Sequence, residues 1–139
     1  MFLGEYKTSF TGQGRVVLPK KFRSELGSGK TVILSRGFEG CIWGFDTKAW
    51  EKEAEKQLEI SSADQEARNL RRYLFSAAES VDLDDQGRFV IPKVLLEYAG
   101  LTREEKGNDG VIMIGAGDHF EVWDSLRWHK LIHKLVSKG

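Results

Sequence analysis

The sequence predicts an α+β protein made of two copies of one short-strand module. The copies pack about a pseudo-twofold axis so that their strands form a shared barrel-like sheet, with helices between and after them. Three observations predict this. Gln13-Gly14-Arg15-Val16-Val17-Leu18-Pro19-Lys20 returns as Gln86-Gly87-Arg88-Phe89-Val90-Ile91-Pro92-Lys93, a constant offset of 73. Over 12–27 against 85–100, seven of sixteen residues are identical. Each short apolar run is punctuated the same way, by a glycine turn before it and a proline after it.

The 139 residues suffice for one domain or two very small ones. Hydrophobic residues make up 40% and charged residues 30%, a globular balance that argues against wholesale disorder. Cys41 is the one cysteine, so no intrachain disulfide forms and a reducing compartment is expected. The N-terminal residues lack a signal-peptide pattern, and no apolar run approaches the ~18 residues of a membrane span. These features predict a soluble, cytoplasmic protein.

In each module the glycine after Gln13 or Gln86 suits a turn that needs positive φ. Val16–Leu18 and Phe89–Ile91 then read as short buried strands. Pro19 and Pro92 end them and open helices over Lys20–Leu26 and Lys93–Ala99. Gly27 and Gly100 stand where left-handed C-caps belong. Strand pairs follow, Thr31–Ser35 with Cys41–Phe45 and Val111–Ile114 with Phe120–Trp123, each joined by a glycine-rich turn.

Helices are expected elsewhere. Asp46 or Thr47 caps one running to about Leu58, with Trp50, Ala54 and Leu58 on one stripe. Ser62-x-x-Gln65 has capping-box spacing before a second, which lines up Ala67, Leu70, Tyr73, Leu74 and Ala77. Asp124 caps a last helix with Leu126, Leu131, Ile132 and Leu135 as its apolar side, and Lys130, Lys134 and Lys138 toward its C-terminus. Asp46-x-x-x-Trp50 matches Asp124-x-x-x-Trp128 at offset 78, so the second copy holds about five extra residues, most easily placed near 102–109. The expected organisation is a first module over 5–50, a helical linker over 51–79, a second module over 80–125 and a C-terminal helix over 126–139. A module of about 45 residues is too small for a strong core of its own, so neither copy should fold without the other.

The charges cancel overall, with 21 Lys+Arg against 21 Asp+Glu. That excludes a polycation that coats nucleic acid or membrane by bulk charge. The distribution is uneven. Residues 1–36 hold seven Lys or Arg against two Glu, a net of +5, and 37–70 carry −4. Lys20, Lys21 and Arg23 could simply solvate a helix face. Arginine on a turn, however, can contact phosphates or fork onto guanine O6 and N7. Turn geometry requires the glycine of Gln-Gly-Arg but not its glutamine or arginine, yet all three occur in both copies.

Enzyme signatures are weak. His129 and His133 have i, i+4 spacing, but Lys130 stands where a zincin places Glu, and no third ligand is suggested. Cys41 reads as a small buried residue rather than a nucleophile. Gly115-x-Gly117 lacks the third glycine of a dinucleotide loop. Asp84-Asp85 shapes a turn more readily than it forms an acid–base pair. No metal, cofactor or catalytic group is expected.

The duplicated Gly-Arg-strand-Pro unit resembles the SpoVT–AbrB family of bacterial DNA-binding domains. Two copies in one short chain are similar to the MraZ family of regulators. The resemblance rests on Met1-Phe2-Leu3-Gly4, Gly14–Pro19, Leu83-Asp84-x-x-Gly87-Arg88-Phe89-Val90-Ile91-Pro92, Tyr98–Leu101 and Gly115-x-Gly117-Asp118-x-Phe120-Glu121-x-Trp123-Asp124. It implies a double-split barrel and a transcription regulator bound to its own operon's promoter, among division and cell-wall genes. It also implies a ring-like homo-oligomer on the nucleoid that reads short repeated boxes in double-stranded DNA. Arg15 and Arg88 become the principal DNA contacts, Gln13 and Gln86 reach bases or phosphates beside them, and Lys7 and Lys20 neutralise phosphates. Gly14, Gly87, Thr11 and Asp84 support the motif. The family pattern is Asp-x-x-x-Arg. Asp84 and Arg88 satisfy it, whereas Thr11 replaces the first Asp, which should leave Arg15 freer than Arg88. The segment 104–110 is longer than the pattern expects. The competing reading is an assembly module that uses Trp43, Trp50, Trp123 and Trp128 and ignores DNA.

Overall fold

The computed structural model describes residues 1–27, 29–101 and 110–137. In chain order the elements are β1 (Glu5–Thr8), β2 (Phe10–Gly12), β3 (Arg15–Val17), α1 (Lys20–Arg23), β4 (Thr31–Arg36), β5 (Ile42–Phe45), α2 (Thr47–Glu59), α3 (Gln65–Phe75), β6 (Glu79–Asp82), β7 (Arg88–Val90), α4 (Lys93–Tyr98), β8 (Val111–Gly115), β9 (Phe120–Asp124) and α5 (Ser125–Ser137). The expected α+β class is observed, with every strand pair antiparallel.

Hydrogen bonding gathers the strands into two sheets. One has the order β1-β8-β9-β5-β4-β6, the other β2-β3-β7. The larger order is a palindrome of the repeat, in which β1 corresponds to β6, β8 to β4 and β9 to β5. The pseudo-twofold axis crosses this sheet where Trp43 faces Glu121. It crosses the smaller one where Val16 faces Phe89. The copies exchange strands: β1 of the first pairs with β8 of the second, and β6 of the second pairs with β4 of the first. The exchange continues at the turns, where Leu18 N donates to Gly87 O and Ile91 N to Gly14 O, both at 2.9 Å.

Alternation decides which side chains enter the core. Val16 and Phe89 point inward from β3 and β7, and Arg15, Arg88 and Val90 point outward. The main core joins Val16 and Phe89 to Leu18, Ile91, Phe22 and Leu95, so both copies fill one interior. A smaller cluster of Cys41, Ile112, Ile114, Trp123 and Trp128 lies under α5. Trp123 and Trp128 are thus buried within the chain, and Trp43 and Trp50 are half-buried against Phe45.

Several local expectations are corrected. The helix expected over Lys20–Leu26 ends at Arg23, because its last turn tightens to i+3 bonds, Glu25 N to Phe22 O and Leu26 N to Arg23 O. Gly27 is consequently no left-handed cap. Gly100 is one (φ +70°), with Leu101 N bonded to Leu96 O and Gly100 N to Glu97 O in a Schellman pattern. Asp64, not Ser62, caps α3, accepting from Glu66 N at 3.1 Å. Gln65 is then the first helical residue and no capping box forms. Asp46 caps α2 through Ala49 N at 2.7 Å, and Asp124 accepts from Arg127 N at 3.1 Å. On α2, Leu58 is exposed, and on α5 Leu126 and Leu135 are exposed while Trp128 takes the buried position. The extra residues expected near 102–109, the long segment 104–110 up to its last residue, and Lys138 lie outside the described residues.

Candidate nucleic-acid interface

The two arginine turns are built differently although their sequences repeat. In the first, Gly12 pairs with Arg15, leaving a two-residue loop of Gln13 and Gly14. Both have positive φ, +48° and +82°, as a type I′ hairpin requires. In the second, Asp84 N donates to Arg88 O at 2.9 Å and Gly87 N to Asp84 O at 2.9 Å. Three residues then lie inside the loop, and Gly87 takes positive φ (+78°).

Asp84 organises the second turn. Its Oδ1 accepts from Gln86 N and Arg88 N, both at 2.9 Å, and its Oδ2 accepts from Arg88 Nε at 2.8 Å. The Arg88 backbone N–H, with the guanidinium and the Gln86 N–H behind it, holds this carboxyl below its usual range despite some opposing desolvation. Thr11 does not take over that work. It sits in a bulge between Phe10 and Gly12, and its hydroxyl donates to Arg15 O at 3.4 Å. Among the described residues no hydrogen bond or ion pair holds the Arg15 guanidinium. The expectation that Arg15 is freer than Arg88 agrees with this geometry.

The antiparallel pairing of β3 and β7 sets Arg15 opposite Val90 and Arg88 opposite Val17. The two arginines therefore share one outward face. Two residues of rise and one strand spacing separate their Cα atoms by roughly 8 Å. Gln13 and Gln86 are exposed at the turn tips, while Gly14 and Gly87 are buried beneath them.

Lys7 from β1 and Lys20 at the start of α1 line a shallow groove with Lys21, Val17 and Pro19. Val17 is the cross-strand neighbour of Arg88, so this lysine cluster flanks the Arg88 end of the ribbon. The sequence reading did not place Lys21 in the site. The corresponding positions of the second copy are Lys93, ion-paired with Glu97 at 4.0 Å, and Val94, which is exposed. Arg23 was also missed. Its Nη1 donates to Gln86 O at 3.3 Å, and a Cβ on Gly87 would lie 2.3 Å from that atom. The signal was present in the repeat, where offset 73 replaces Arg23 by Leu96.

The other chemical candidates lie away from this face. Cys41 is buried, and burial, reinforced by Glu121, pushes its thiol far up, so it stays protonated. His119 is held by Asp118 (2.7 Å) and Glu121 (2.9 Å). Burial opposes its charge, but these two carboxylates outweigh burial and raise its pKa. His129 and His133 are exposed on α5. Among the described residues no group of three His, Cys, Asp or Glu is placed to hold a metal, and no helix is long and apolar enough to cross a membrane.

Fold and site together define a duplicated, strand-exchanged α+β protein with paired arginine turns on one β-ribbon. A family model described as "MraZ protein, putative antitoxin-like" matches the chain twice, over residues 1–73 and 74–138. "Transcriptional regulator MraZ" of Roseiflexus sp. (strain RS-1) is 39% identical over 135 residues, covering 97% of this chain and 89% of that one. The protein of the same name from Limosilactobacillus fermentum is 37% identical over 128 residues (92% and 84%), and that of Caldicellulosiruptor bescii 38% over 130 (94% and 85%). The chain belongs to the MraZ family.

Proposed function

We propose that the protein is a sequence-specific DNA-binding transcriptional regulator. It acts in the cytoplasm, on the nucleoid, at the promoter of its own division and cell-wall gene cluster. The observation that carries this reading is the pair Arg15 and Arg88 on one face of an exposed antiparallel ribbon. The relatives' shared name, transcriptional regulator, supports it. Arg15 and Arg88 make the principal contacts, Gln13 and Gln86 reach bases or phosphates beside them, and Lys7 and Lys20 neutralise phosphates. Thr11, Gly14, Asp84 and Gly87 shape the turns. The modules at 5–50 and 80–125 are the recognition units, and the two sheets are read as parts of one shared double-split barrel. The helical segments at 51–79 and 126–139 frame them.

A chain of zero net charge with one small basic face binds a single DNA box weakly. A ring-like homo-oligomer that repeats the face along repeated boxes supplies avidity without new contacts. The test is fluorescence anisotropy on duplex DNA from the gene's own upstream region, against a scrambled duplex, at two salt concentrations. Specific, salt-sensitive binding that Arg15→Ala or Arg88→Ala abolishes, with the oligomer intact by light scattering, is expected. Equal binding to both duplexes, or none from a well-assembled oligomer, would favour an assembly module instead.

A further inference from the structure

We propose that the two turns divide DNA reading unequally: Arg88, held by Asp84 and propped by Arg23 of the other module, discriminates bases, whereas Arg15 is a compliant backbone contact. This inference rests on the DNA-binding reading above. Bidentate recognition of a guanine edge needs a guanidinium fixed in plane and position. An arginine that is free before binding gives up more rotamer freedom when it docks. Asp84 engages Nε of Arg88 and leaves the outer nitrogens for a ligand, so the fork is aimed before DNA arrives. The same carboxylate fixes the backbone on which the fork stands, through Gln86 N and Arg88 N.

Among the described residues, Arg15 has none of these supports. Its turn is one residue shorter, Thr11 bonds only its carbonyl, and Gln13 holds a positive φ that glycine adopts more easily. The surrounding charge reinforces the difference, because Lys7, Lys20 and Lys21 flank the Arg88 end while Arg15 faces Val90. Those lysines settle the backbone beside Arg88 and thereby register its fork on a base step.

Arg23 is the positioning residue no motif contains. It comes from α1 of the first module, packs against Gly87 and donates to Gln86 O of the second. Leu96 is the repeat equivalent of Arg23, is buried, and has no side-chain donor. Among the described residues, one turn is therefore supported by a charged donor from the opposite module and the other is not.

The experiment measures affinity for the upstream duplex and for a scrambled duplex across a salt series. Variants are Arg88→Lys, Arg15→Lys and Arg23→Leu, the last copying the other module. Lysine keeps the charge and loses the fork. Arg88→Lys is expected to reduce the specific-to-scrambled ratio about tenfold or more, the scale of one bidentate base contact. Its salt slope should stay that of the wild type. Arg15→Lys should weaken both duplexes in the same proportion. Arg23→Leu should lower the ratio without changing the slope, whereas loss of a direct phosphate contact would reduce the slope by about one. Circular dichroism checks its fold, and Arg23→Lys replaces it if the leucine variant is unfolded. Equal loss of discrimination in Arg15→Lys and Arg88→Lys would overturn the division of roles. A reduced slope with an unchanged ratio in the Arg23 variant would overturn its positioning role. A wild-type protein that does not discriminate overturns the regulator reading, and this inference with it.

Discussion

Val16 and Phe89 face each other across β3 and β7, where the pseudo-twofold axis crosses the smaller sheet, and both are buried. They are equivalent residues of the repeat, so one contact serves both modules. Phe89→Ala should cost about 3–5 kcal/mol, as for large-to-small changes in a filled core. Because the interior is shared, unfolding should remain a single transition. Urea titration followed by tryptophan fluorescence and by circular dichroism checks both statements, and separate midpoints for the two probes would contradict the second.

Strand exchange makes a prediction about fragments. Residues 1–73 contain β1 and β3 but neither β8 nor β7, which pair with them. Expressed alone, 1–73 and 74–139 should each lack dispersed amide NMR signals as monomers. Mixing them should restore the spectrum of the intact chain. A 1–73 monomer with native-like dispersion would show that the exchanged strands are dispensable.

Gly87→Ala should be more disruptive than Gly117→Ala. Both glycines have positive φ, but the new Cβ at Gly87 meets Arg23 whereas the space at Gly117 is open. Backbone strain alone costs about 1–2 kcal/mol. The additional loss at Gly87 should disappear in an Arg23→Ala background, which leaves room for the methyl group. A double-mutant cycle on urea midpoints measures that coupling.

The Asp84–Arg88 clasp predicts acid sensitivity of the second turn. The Asp84 carboxyl is depressed below its reference of 3.8 when folded. Its contribution is therefore complete above that pH and is lost as pH falls through the depressed value. An NMR titration of the Arg88 Nε–H resonance should show this change below about pH 4. Asp84→Asn should remove it, and an unaltered titration in that variant would assign the change to another group.

His119 predicts the opposite dependence. Its pKa is raised in the folded protein, so its contribution is full below the reference of 6.5 and is lost as pH rises through the raised value. Asp118 and Glu121 bond both ring nitrogens, Cys41 and Glu39 lie beyond them, and Phe45 and Trp43 cover the ring. Thermal midpoints should decline from neutral toward alkaline pH in the wild type and do so less in His119→Gln. Parallel curves for the two proteins would remove His119 as the cause.

The repeat, the turn glycines, the proline-opened helices and the paired arginines were all legible in the linear chain, because each depends on local backbone preference or on residue spacing. Helix caps were legible only in part. Asp124 was identified and Asp46 was one of two candidates, but Ser62 was expected where Asp64 caps, since both residues are good caps and packing chooses between their starting points. The exposed Leu58, Leu126 and Leu135 followed the same limit: periodicity marks an apolar stripe but not how much of it a neighbour covers. Three things were decided by tertiary structure alone. Strand exchange between copies depends on pairings between residues far apart in the chain, such as Glu5 with Ile114 and Thr31 with Asp82. The convergence of Lys21 with Lys7 depends on where β1 lies beside α1. The propping of one arginine turn by Arg23 depends on the axis that brings α1 of one module under the loop of the other. The sequence by itself determined which chemical groups are present and how each short segment bends. Which groups meet was decided by burial in a core that neither module could close alone.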